Sequence, residues 1–132
     1  MKEKELIEFC KKTRLLSNRD TDRTVVIVFK EVLDKGEKTV GSTELARESG
    51  LHRLTVRHHL ERLKEMGLLE EKKGKYRMKF DSLEEYIEYR RKRMLRMFDE
   101  LEDMAERMDK EFFGIGGIHV KERKKERKIE IE

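Results

Sequence analysis

The chain has 132 residues, 47% of them charged and 36% hydrophobic, with 33 basic side chains against 29 acidic ones and a formal net charge of +4. So little apolar material supports one modest core with an extension, and so near a balance of signs is by itself a weak argument for nucleic acid. A lone cysteine, Cys10, excludes an intramolecular disulfide framework, and with a charged start lacking an apolar h-region and no membrane-length apolar run, neither a signal peptide nor a membrane span is expected.

These features place the expected protein, soluble, in a reducing cytoplasm, with Cys10 as a small buried hydrophobe. Dense mixed charge with no Trp and no Pro resembles the ion-pair-rich composition of thermophile proteins.

Leu6, Phe9, Cys10, Thr13 and Leu16 recur at three- and four-residue steps, which predicts an amphipathic helix over residues 3–16. Ser17, Asn18 and Asp20 break the pattern. The run Val25, Val26, Ile27, Val28, Phe29 has the β-branched density of a strand. Val25, Val28, Phe29, Val32 and Leu33 also keep helical spacing, however, and Gly36 stands where a C-cap belongs, so a helix is predicted over 21–35.

Ser42 as N-cap then opens a short helix over 43–49, with Leu45 and Ala46 facing inward and Gly50 as its stop. After Gly50, Leu51 and His52, a second helix is predicted over 53–66, with Val56, Leu60 and Leu63 at i, i+4 and i+7 on one face and Gly67 at its end. Residues 68–71 and 75–80 form a hairpin around the polar tip Lys72, Lys73 and Gly74, and its second strand alternates Tyr76, Met78, Phe80.

Asp81 or Ser82 caps a long helix that runs to about Phe113. Ile87, Met94, Leu101 and Met108 fall seven residues apart, and Met97 and Met104 complete an a/d seam bracketed by Arg90 and Glu111. The seam predicts dimerisation through Ile87, Met94, Met97, Leu101, Met104 and Met108, alongside packing of the helix on Leu6, Phe9 and Leu16 of its own domain. Residues 114–132 read equally as a frayed charged tail or as a β-hairpin carrying Ile118, Val120, Ile129 and Ile131. The expected fold class is thus mainly α with a small β-wing: a domain over 1–80, a long helix over 81–113, and the tail.

Charge by segment says more than the total. Residues 37–80 hold eleven basic and seven acidic groups, whereas 81–113 hold seven and eleven. The helix pair and hairpin are therefore the most basic part of the chain, and the acidic long helix would be kept off a phosphate backbone.

The string Ser42, Thr43, Glu44, Leu45, Ala46, then Ser49, Gly50, Leu51, then Thr55, Val56, Leu60 and Leu63, ending Gly67, Leu68, Leu69, resembles the winged helix-turn-helix of prokaryotic repressors, archaeal ones included. It is similar to the ArsR, MarR and TrmB-like groups. The resemblance implies a transcriptional regulator of double-stranded DNA, with a reading helix over 53–66 and a wing over 68–80.

A groove-reading helix must bury one stripe to be held at a fixed angle while its first half presents donors to base edges. Here the free faces carry Arg53, Leu54, Thr55, Arg57, His58 and Arg62, and the wing adds Lys72, Lys73, Lys75 and Arg77. Arg53 and Arg57 each suit either a guanine edge or a phosphate, and Thr43 suits a phosphate at its helix N-terminus. Leu54 either meets a thymine methyl or tucks under the wing, and His52 is a poorer N-cap than Ser. Arg90 to Arg93 read as a solvated helix surface.

Other functions fit less well. Adjacent His58 and His59 point to different helical faces, and no histidine pair has the i, i+4 spacing of a helical metal site, so no metal or other cofactor is expected. No phosphate loop, carboxylate pair or nucleophile motif stands out, and no enzyme is expected. The rival reading is a winged helix that binds protein or RNA.

Overall fold

The computed structural model describes residues 3–16 and 23–114. In chain order these form α1 (Glu3–Lys12), α2 (Thr24–Lys35), α3 (Ser42–Ser49), α4 (Arg53–Glu65), β1 (Leu69–Lys72), β2 (Lys75–Met78) and α5 (Leu83–Phe113). The chain divides into two compact units, Met1–Tyr86 and Ile87–Glu132. The tail expected over 114–132 lies, Gly114 apart, outside the described residues.

α1 stops at Lys12, short of the predicted end at Leu16. Thr13 Oγ1 donates to the Phe9 carbonyl at 2.7 Å, Arg14 takes a left-handed φ of 67°, and the Leu16 amide reaches back to the Cys10 carbonyl at 2.9 Å. This wrap-around closes the helix. It also buries Leu15 beside Leu16, which helical spacing could not foresee.

The β-branched run proves helical. Val25, Val26, Val28, Phe29 and Val32 are all buried, and a helix enclosed on most sides loses the polar stripe that would distinguish it from a strand. α2 starts at Thr24, behind a left-handed Arg23, and the predicted residues 21 and 22 lie outside the described ones. Gly36, at φ 62°, caps its end, and Phe9 of α1 stacks on its Phe29 with ring centroids 5.9 Å apart.

The N-cap of α3 is Gly41, not Ser42: the Gly41 carbonyl already accepts from the Leu45 amide at 3.0 Å, so Ser42 is the first helical residue. Gly50 ends this helix in the left-handed conformation at φ 75°. His52 caps α4 after all, its Nδ1 accepting the Leu54 amide at 3.2 Å in the role a serine oxygen would fill. α4 ends at Glu65, with Met66 as C-cap and a left-handed Gly67 behind it.

The hairpin is tighter than predicted. β1 and β2 pair antiparallel as Leu69↔Met78, Glu70↔Arg77, Glu71↔Tyr76 and Lys72↔Lys75, so Lys72 belongs to a strand and the tip is Lys73–Gly74 alone. Both tip residues have positive φ, 54° and 77°, as a two-residue turn matched to the right-handed strand twist demands. β2 ends at Met78, and Phe80 lies in a bend beyond it. Val40 bridges Tyr76 by two backbone bonds of 2.8 Å and so extends the two-stranded sheet by one residue pair.

Ser82 Oγ accepts the Glu85 amide at 3.1 Å, while Glu85 reaches back to the Asp81 amide at 3.2 Å, a reciprocal cap that starts α5. One turn later Tyr86 is fully buried, its hydroxyl donating to the Met66 carbonyl at 3.2 Å and its ring 5.8 Å from that of Phe80. The first turn of α5 is thereby part of the winged unit.

Candidate nucleic-acid interface

α4 turns its predicted stripe, Val56, Leu60 and Leu63, wholly into the core. His59 joins them, with Nε2 2.6 Å from Thr24 Oγ1, so a hydrogen bond as well as apolar contact fixes the rotation of α4 against α2. Helical geometry then leaves Arg53, Leu54, Arg57 and His58 exposed together on the first two turns, with Thr55 half-buried at their edge. Leu54 is 68% exposed and does not tuck under the wing. Thr43 is exposed at the start of α3.

The predicted cations fall into two groups. Arg53, Arg57, Lys72, Lys73 and Lys75 are exposed and form no ion pair among the described residues. Lys72 and Lys75 even stand directly opposite each other in the hairpin, a like-charge pairing that weakens a strand pair and favours an anion between them. Arg77, in contrast, is bound by the Glu70 carboxylate across the hairpin at 2.6 Å, and the Arg62 guanidinium donates to the Arg14 carbonyl at 3.2 Å. Arg77 also lines a cleft of about 340 Å³ with Leu33, Met78, Phe80 and Leu83.

A second set of contacts ties the wing to the reading helix. The Tyr76 hydroxyl donates to Glu61, whose other oxygen lies 3.3 Å from the Lys64 ammonium, and Lys64 in turn bonds Glu71 on β1 at 3.0 Å. The Tyr76 bond, followed by that of Lys64, holds Glu61 below the usual carboxylate range. Glu71 and then Glu61 hold the Lys64 ammonium above its ordinary value, and burial followed by the Glu61 bond raises the Tyr76 phenol. Sequence reasoning missed this link because Tyr76 and Glu61 are 15 residues apart and belong to elements of different period.

Two helices, α3 and α4, meeting through Gly50, Leu51 and His52, backed by α2 and followed by a hairpin, make a winged helix-turn-helix. Its basic reading face and wing are those of a DNA-binding transcription regulator. Residues 23–71 match the family model described as bacterial regulatory protein, arsR family. That segment runs from the start of α2 into β1 and so covers the helix-turn-helix and the first strand of the wing. No curated protein and no solved structure matches the chain. Among the described residues no group of three or more His, Cys, Asp or Glu could hold a metal ion, and no helix is long and apolar enough to cross a membrane.

Proposed function

We propose that the protein reads a specific double-stranded DNA operator as a homodimer in the cytoplasm, with the first half of α4 in the major groove and the wing on the backbone or in the minor groove. The observation that carries this reading is the exposed pair Arg53 and Arg57, without ion pairs among the described residues, beside a lysine-tipped hairpin. In a protein whose carboxylates nearly equal its cations, such groups keep their donors for phosphate and guanine. Arg57 and Arg53 present forks to base edges, Thr55, His58 and Leu54 flank them, and Thr43, Lys72, Lys73 and Lys75 hold phosphates. Arg62 and Arg77, engaged by Arg14 and Glu70, brace the helix and the wing.

The seam Ile87, Met94, Met97, Leu101, Met104 and Met108 joins two chains, which read a palindrome whose half-sites lie about 34 Å, or a multiple of it, apart. A mobility-shift titration with random duplex, repeated at rising salt, tests the DNA reading. The expected result is a shift at low salt that weakens steeply as salt increases, followed by recovery of a palindrome on selection from a random pool. No shift at low salt, or a preference for RNA, would overturn it.

A further inference from the structure

Among the described residues, nine of the eleven large hydrophobic side chains left exposed lie on α5, from Met94 to Phe113. They are not scattered. Met94, Met97, Leu101, Met104 and Met108 form the a/d seam, each 45–51% exposed, and Phe98, Ala105 and Phe112 form a second apolar row along one flank of it. A stripe this long on a described helix demands a partner.

The charges along the same helix are segregated. From 87 to 98 there are five basic groups, Arg90, Arg91, Lys92, Arg93 and Arg96, against Glu88 alone. From 99 to 113 there are seven carboxylates against Arg107 and Lys110. We infer that the apolar face of α5 binds a second copy of the same helix in antiparallel orientation. This rests on the homodimer reading above and specifies the partner and the direction of its contact.

Three observations agree on the direction. Antiparallel pairing sets the basic half of each helix against the acidic half of the other, whereas parallel pairing sets like against like twice, across an interaxial distance of about 8–10 Å at which salt screens only partly. In parallel register the two charged residues that bracket the seam face their own copies, Arg90 on Arg90 and Glu111 on Glu111. In antiparallel register, with Met97 against Leu101 of the second copy and Met94 against its Met104, Arg90 comes next to Glu111 instead. Finally, antiparallel pairing in that register brings Phe98 onto its own counterpart, where parallel pairing sets Phe98, Ala105 and Phe112 against the charged flank of Arg93, Glu100 and Arg107. The cost falls on the solvent-open flank, where Glu100 lies near its own copy and Arg93 near Arg107 of the second copy, and where repulsion between exposed charges is weak.

The orientation also sets where the winged units emerge. The two Leu83 ends lie on the order of 45 Å apart in the antiparallel pair, at 1.5 Å per residue, and side by side in a parallel one.

Cysteine cross-linking of the full chain tests this, with Cys10, fully buried, left in place. Met94→Cys and Met104→Cys are prepared separately, one of them tagged, then mixed and oxidised. The expected result is a disulfide between the two variants in the mixture and none in either variant alone, at a sedimentation mass of two chains. A disulfide in Met94→Cys alone would show a parallel pair, overturning the orientation and leaving the dimer intact. A two-chain mass without any disulfide would place the interface elsewhere and overturn the proposal. A one-chain mass at micromolar concentration would overturn both pairing and orientation, while the mobility shift would still report DNA binding by the winged unit.

Discussion

The two units of the chain use apolar side chains in opposite ways. Among the described residues, all eighteen buried hydrophobic ones lie at or before Tyr86, whereas nine of the eleven large exposed ones lie after it. The winged unit satisfies itself: its helices and hairpin close over Val28, Phe29, Leu60 and Leu63, and its charged groups outside the reading face are widely tied in pairs such as Lys35–Glu48 and Lys64–Glu71. The stretch of α5 beyond Tyr86 carries a regular seam whose side chains are about half exposed among the described residues. The difference teaches that the first unit is built around a closed core, while the second presents its apolar side chains at the surface.

The largest effect that tests this contrast is on the core. Leu60→Ala should cost about 2–5 kcal/mol of unfolding free energy, because a fully buried side chain leaves a cavity between α4 and its neighbours. Denaturant melts check it, and Cys10 offers a second readout. Burial pushes its thiol up to about 11 and encloses it, so labelling by a thiol reagent should be slow in the native protein and faster in the variant. Leu101→Lys, an equally drastic change in the other unit, should leave that melt nearly unmoved. It should abolish the two-chain species in sedimentation and lower affinity for a palindromic site by about 10²-fold through lost avidity. If Leu101→Lys unfolds the winged unit, the contrast fails.

Smaller effects separate the reading face from its supports. Arg57→Ala should cost about 1–3 kcal/mol at the selected operator and relax base preference at one position. Lys73→Ala should weaken all duplexes alike and reduce the salt slope by about 1. The reverse pattern would mean that reader and positioner have been exchanged.

The smallest effect concerns the link between wing and helix. Glu61 has a lowered pKa in the folded protein, so the unfolded chain takes up that proton first as the pH falls. Its contribution is therefore present above the ordinary carboxylate value of about 4.3 and is lost as the pH drops through the folded one. Wild type should exceed Glu61→Gln slightly in stability at neutral pH, with the gap closing below about pH 4. A gap independent of pH would assign the difference to packing instead.

Much of this architecture is written in short-range pattern. Spacing of three and four placed α4 and the seam of α5, alternation of two placed the hairpin, and Gly36, Gly50 and Gly67 marked helix ends. The pattern erred where a local choice depended on a single backbone bond: Gly41 rather than Ser42 caps α3, α1 unwinds at Thr13, and the wing tip is Lys73–Gly74. It was also silent on the cleft beside β2, since its lining comes from α2, the wing and the start of α5 at once.

By itself the sequence determined the order of elements, the buried stripe of the reading helix and the location of excess positive charge, because each depends on neighbours within a turn or a strand. The tertiary structure decided which of those charges are left over. Arg62 meets a carbonyl 48 residues away, His59 meets Thr24 across 35, and Arg77 meets Glu70 only because the hairpin register opposes them. Periodicity carries no information about such distant pairings, so which cations are engaged within the protein emerges only when the helices and the wing are brought together.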